Sequence, residues 1–193
     1  MRFWHHLRVK RAWSILTVAV VLAAAATAGG CGDTADAGDR DDLGATQRTT
    51  QGGVSMEPTI MAGQEVTYRA VSGPYRPRRG DIVIFRSPGG KWSPSDSDLL
   101  LKRVVAVGGD TVACCDEAGA VTVDGKSLKE PYVADDSPLD APPNDPGCGS
   151  RRFDPVAVPT GHLFLMGDNR GKSYDSRCTG TIPAEAVTGV VSS

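Results

Sequence analysis

Apolar positions fall into three regimes along the chain. From Trp13 to Ala28 they run without a charge, behind a basic head that holds Arg2, Arg8, Lys10 and Arg11. An uncharged apolar run behind basic residues predicts a membrane-inserting helix whose basic end stays in the cytoplasm, with the rest of the chain exported. At 1.5 Å per residue the run spans about 24 Å, somewhat short of a hydrocarbon core of about 30 Å. Two fates fit it. One is an uncleaved single-pass anchor. The other is a lipoprotein signal ending at Ala28-Gly29-Gly30-Cys31, in which lipid on Cys31 would hold the chain.

The second regime, residues 31–53, is polar and acidic and has few large apolar side chains. Such a segment cannot bury enough surface to offset its ordering entropy, so it predicts a disordered tether. From residue 54 the pattern changes again. Short runs rich in Val, Ile, Leu and aromatics predict strands over 65–70, 81–85, 99–107, 120–123, 162–166 and 187–191, punctuated by Gly, Pro and Asp. No amphipathic helix of useful length follows the tether. Pro, Asp and Gly crowd residues 135–154, which predicts a surface excursion. The domain reading is therefore an apolar helix within 1–30, a tether over 31–53, and a mostly β domain over 54–193.

Composition sharpens this picture. The formal net charge of -2 gives no basic footprint for nucleic acid. Of five cysteines, only Cys114 and Cys115 are close in sequence, and adjacent cysteines do not make a metal-ligand pair. No metal and no cofactor is expected. In an exported domain, disulfides are the better use of cysteine. Adjacent cysteines rarely bridge one another because the geometry is unfavourable. The expectation is two disulfides that join Cys114 and Cys115 to Cys148 and Cys178, in either pairing. Lipid on Cys31 would leave this even set of four.

A seryl hydroxyl becomes a nucleophile only when a base takes its proton. Of the three histidines, His5 and His6 lie in the basic head, and His162 opens an apolar strand as a structural residue. A lysine can act instead if a dry environment disfavours its ammonium form. Lys102 lies within Leu99-Leu100-Leu101-Lys102-Arg103-Val104-Val105-Ala106-Val107, and strand alternation places it on one face with Leu100, Val104 and Ala106. Arg103 then faces the other way, in a structural role. On strand position alone, a lysine that reaches to water from a sheet edge is the favoured reading. Gly171-Lys172-Ser173 imitates the end of a phosphate-binding loop, but Met166 stands where that motif needs Gly.

Four segments decide the matter together. They are Gly53-Val54-Ser55-Met56-Glu57-Pro58-Thr59-Ile60, Arg79-Gly80-Asp81-Ile82-Val83-Ile84-Phe85, Leu101 to Asp110, and Gly167-Asp168-Asn169-Arg170-Gly171-Lys172-Ser173-Tyr174-Asp175-Ser176-Arg177. Their order and spacing resemble the conserved boxes of type I signal peptidases, the S26 family of Ser/Lys serine proteases, from about Gly53 to Val191. The resemblance implies a coiled antiparallel β-sheet or partial barrel as the catalytic domain. It implies that Ser55 is the nucleophile and Lys102 the general base. Ser173 would hydrogen-bond the Lys102 amine, and Asp175 would support the region, through Arg177. Met56, Ile60 and Leu101 match positions that line shallow pockets for small side chains. The implied activity is removal of signal peptides from exported preproteins after Ala-x-Ala-type sequences, by a monomer held at the cell membrane with its catalytic domain outside.

Three features depart from the family pattern. Gly53 stands where many members carry a hydroxyl that assists the oxyanion hole. Thr49-Thr50-Gln51-Gly52-Gly53 replaces an apolar strand, and Gly108 replaces a frequent Pro. The alternatives are a related Ser/Lys protease with a specialised substrate, and a catalytically weak exported lipoprotein that binds leader peptides.

Overall fold

A computed structural model describes residues 40–92, 99–133, 138–140 and 148–192. The chain divides into two units, Met1–Gly38 and Asp39–Ser193, and the described residues belong to the second. The apolar run, the Cys31 signal and half of the 135–154 excursion, residues 135–137 and 141–147, lie outside the described residues. Among the described residues no helix is long and apolar enough to cross a membrane.

The fold is mostly β, in two antiparallel sheets. The first has seven strands: β1 (Leu43–Thr50), β2 (Glu65–Val71), β3 (Ile82–Arg86), β4 (Leu99–Val107), β9 (His162–Met166), β10 (Ile182–Pro183) and β11 (Val187–Val191). Their order is β1-β2-β11-β3-β4-β9-β10. The second sheet has four strands, β5 (Thr111–Cys114), β6 (Val121–Val123), β7 (Lys126–Ser127) and β8 (Phe153–Ala157), in the order β7-β6-β5-β8. Among the described residues the one α-helix is short, α1 (Ser176–Thr179), and follows β9.

The β-rich apolar runs became strands because both their faces find partners. β4 is the clearest case, with Leu101 to Ala106 all buried. Val83, Phe85, Val104, Leu163 and Leu165 form one core cluster. Val105, Ala106, Val112, Phe164 and Met166 form a second, and Met56, Ile60, Tyr68, Ile84 and Leu101 a third. Close backbone approach explains Gly189 on β11, where a Cβ would run into the Tyr68 ring.

Two sequence expectations need correction here. The expected disordered tether reaches into the folded unit, since residues 43–50 pair in antiparallel register with β2, from Leu43↔Val71 to Thr50↔Glu65. Composition misleads because this edge strand is mostly exposed and draws its order from ladder hydrogen bonds, not from burial. Its entry is fixed by Arg40, which donates to Asp42 (2.9 Å) and Asp81 (2.7 Å). Alternation along β4 also fails at its end. A register shift between Val104 and Ala106 turns Ala106 away from the Lys102 face and into the second core cluster.

Candidate active site

Ser55 sits in the loop between β1 and β2. Its neighbour Met56 is fully buried and anchors that loop on Ile60, Val66, Tyr68, Ile84 and Leu101. The loop closes with hydrogen bonds from Glu57 N–H to the Val54 carbonyl (3.2 Å) and from Ile60 N–H to the Met56 carbonyl (3.0 Å). A second segment, at the end of β9, holds it from outside. Asn169 N–H donates to the Ser55 carbonyl (3.0 Å), and the Thr59 hydroxyl donates to Asp168 (2.5 Å).

Lys102 comes from β4, opposite Val83 of β3. It is 5% exposed. Its Nζ lies 2.9 Å from Ser55 Oγ and 3.2 Å from the Leu101 carbonyl. Burial is the main influence on the amine and pushes it down to about 8; Asp175 pushes it back up and Arg177 lowers it further. An amine in this range exchanges its proton near neutral pH, as a general base must.

Asp175 is completely buried. Burial alone would raise its carboxyl, but the charge and hydrogen bonds of Arg177, with help from Ser173 and the Gly167 N–H, hold it below the ordinary value. Arg177 donates to both carboxylate oxygens (2.9 and 3.0 Å) and to the carbonyls of Arg170 and Ser173. Gly167 N–H donates to Asp175 Oδ2 (3.1 Å). This is the ion pair expected from the sequence. The expected bond from Ser173 to the lysine is different. The Ser173 hydroxyl is buried and makes no hydrogen bond of good geometry. It lies against Gly167, where any Cβ would collide with Ser173 and with the Ser55 carbonyl. Gly167 thus leaves the space in which Ser173 and the Ser55 backbone both come close to it.

Arg103 faces away from the lysine. It donates bidentately to Asp168 (2.9 and 2.7 Å) and to the Gly80 carbonyl, and it stacks on the Tyr132 ring at 3.8 Å. Asp168, Asn169 and Arg170 lead into a turn that Lys172 N–H closes on the Asn169 carbonyl (3.1 Å). In the structure they are nearly inaccessible to solvent and tie three segments together, with Arg170 paired to Glu130 (2.7 Å). The available signal was opposite charges at the end of a fully apolar strand, which must pair if buried.

The three expected pocket residues share one apolar cluster but not one surface. Leu101 lines a groove of about 400 Å³ together with Thr49–Gly52, Ile84, Leu99 and Leu100. Ile60 lines a separate groove of about 680 Å³ beside Thr59 and Ile82. Met56 is fully buried and lines neither groove. At position 53 a Cβ would meet nothing within 4 Å. No described residue accepts a hydrogen bond from the Ser55 N–H.

The cysteine expectation is corrected. Cys148 bridges Cys178, and Cys114 bridges Cys115. Cys148 and Cys178 are held near each other by their shared contacts with Asp175. That pairing leaves Cys114, at the end of β5, and its neighbour to each other.

Comparison with known proteins gives the family of the chain. The family model described as "Signal peptidase, peptidase S26" matches residues 45–193. "Signal peptidase I" of Mycobacterium tuberculosis (strain ATCC 25618 / H37Rv) is 36% identical over 179 residues, covering 70% of this chain and 60% of its own length. "Signal peptidase I V" of Bacillus subtilis (strain 168) is 34% identical over 143 residues, covering 72% of this chain and 80% of that one. "Probable thylakoidal processing peptidase 2, chloroplastic" of Arabidopsis thaliana is 36% identical over 138 residues, covering 70% of this chain and 34% of that one. A crystal structure of a signal peptidase I from Enterococcus faecalis aligns with a TM-score of 0.45 and 26% identity, over 62% of this chain and 100% of that one. The chain spans about 60% of the length of the mycobacterial relative. With the family model matched from β1 to the C-terminus, over the segment that carries Ser55, Lys102 and Asp175, the chain belongs to the signal peptidase family, peptidase S26.

Proposed function

We propose that this protein is a signal peptidase I, an endopeptidase that removes N-terminal signal peptides from exported preproteins by acyl transfer through Ser55 and Lys102. The observation that carries the reading is an amine 2.9 Å from a seryl oxygen in a pocket that keeps water away. The substrate strand lies extended in the groove between the end of β1 and β4, where backbone pairing supplies affinity. Neutral Lys102 takes the Ser55 proton as the hydroxyl oxygen attacks the scissile carbonyl. The Ser55 N–H donates to the oxyanion that forms. Collapse of the tetrahedral species expels the mature amino terminus, which receives the proton from Lys102. The same amine then deprotonates a water that attacks the acyl-enzyme and frees Ser55.

Shallow apolar walls at Leu101 and Ile84 suit small side chains such as those of Ala-x-Ala. Attachment at the outer face of the membrane, through the 13–28 run or through Cys31, brings the catalytic unit to such substrates. The test is cleavage of an Ala-x-Ala preprotein reporter by the full chain in detergent. Ser55→Ala and Lys102→Ala each abolish turnover while leaving the far-UV circular dichroism unchanged. Cleavage retained by Lys102→Ala would overturn the assignment of the base.

A further inference from the structure

The bridge between Cys148 and Cys178 stands against the residues that govern Lys102. Cys178 lies on α1, and Cys148 reaches it from 30 residues earlier, with Cα atoms 5.4 Å apart. Cys148 N–H donates to the Ser173 carbonyl (3.1 Å), and Asp175 N–H donates to the Cys148 sulfur (3.1 Å). Cys178 N–H donates to the Asp175 carbonyl (3.0 Å). The bridge therefore grips the backbone on both sides of Asp175. α1 has four residues, too few for a helix to hold itself in water. Its place depends on what it is tied to.

We propose that Cys148 and Cys178 are positioning residues for the proton transfer, and that reduction of their disulfide turns the peptidase down by opening the pocket around Lys102. This rests on the reading of Lys102 as the base. The reductant is a dithiol. One of its thiolates attacks a bridge sulfur and displaces the other cysteine as a thiolate. Its second thiol then closes the reductant's own disulfide and releases the first cysteine. Two electrons pass to the protein, and two protons end on Cys148 and Cys178.

The groups that face Lys102 set the direction of the effect. Asp175 acts on it from the segment before α1 and Arg177 from α1 itself; β3 presents Val83, and the β1–β2 loop presents the Ser55 hydroxyl. Dryness is the largest influence that keeps the amine low. A loosened 173–178 segment admits water, and a hydrated amine regains its proton at neutral pH.

The test uses the full chain carrying Cys114→Ser and Cys115→Ser, so that one bridge is reducible. Oxidised protein is compared with protein reduced by dithiothreitol. One measurement is kcat/KM on the reporter against pH. The other is acylation of the Lys102 amine against pH, read by peptide mass spectrometry, which requires no catalysis. Reduction moves the acid limb of kcat/KM and the Lys102 acylation midpoint upward together by about one pH unit, and lowers cleavage at pH 7 about tenfold. Reoxidation reverses both. An unchanged acylation midpoint overturns the proposal, whether or not activity falls. Should the reduced chain unfold, Cys148→Ala with Cys178→Val makes the same comparison. An oxidised chain that cleaves nothing would refute the peptidase reading instead, and the acylation midpoint would still decide the role of the bridge.

Discussion

Burial brings the Lys102 amine from 10.5 down to about 8. That depression serves catalysis and opposes folding. The folded chain has the lower value, so the unfolded chain binds more protons between the two. Stability from this group therefore rises as pH climbs from about 8 to 10.5 and is absent below that window. At pH 7 the buried ammonium costs about 3 kcal/mol. Lys102→Met is therefore expected to abolish cleavage and yet raise the urea midpoint at pH 7, with the gain shrinking toward pH 10.5. A Lys102→Met variant no more stable than the parent at pH 7 would mean that the amine is not dry. In the parent enzyme, kcat/KM rises with pH and levels off above about 8 as the amine loses its proton.

Position 53 offers a second test at the same scale. The space around it is open, so a serine there meets no clash. Its hydroxyl would add a donor beside the Ser55 N–H, and single donors of this kind contribute about 2.7–4 kcal/mol where they are well placed. Gly53→Ser is expected to raise kcat by about tenfold or more with little change in KM. A lower kcat in this variant would show that the oxyanion lies elsewhere.

Between elements, the link that matters joins β4, the Ser55 loop and the end of β9. Arg103 and Asp168 form a buried pair, and Asp168 also receives the Thr59 hydroxyl. Removal of one partner strands the other charge, at a cost of about 3–5 kcal/mol. Asp168→Ala should lower stability in urea unfolding by that amount. Arg103→Met combined with Asp168→Leu should recover much of it, because neither charge is then left alone. Failure of the double variant to recover would assign the loss to the Thr59 contact. β1 and β4 differ in how they could be foreseen. β4 announces itself by nine residues that bear Leu, Val and Ala around two cations. The strand Leu43–Thr50 carries one buried apolar residue, and nothing in LGATQRTT specifies a partner.

Across the molecule, the Cys148–Cys178 bridge closes a loop with a sequence separation of 30. Loop-closure entropy gives such a link about 3–4 kcal/mol of stability. In the chain lacking Cys114 and Cys115, dithiothreitol should lower the unfolding free energy by up to that amount. No change would mean that the segment is held without the bond.

The residue types for the chemistry, the order of the four boxes and the apolar strands were legible in the sequence, because hydrophobic runs and a lysine set among them are local features. Folding alone decided the rest. The burial of the Ser173 hydroxyl, of Asp168 and of Arg170, the cysteine pairing and the edge strand before Ser55 all depend on segments far apart in the chain. Long-range contact, not local composition, determines which polar groups lose water and must find each other.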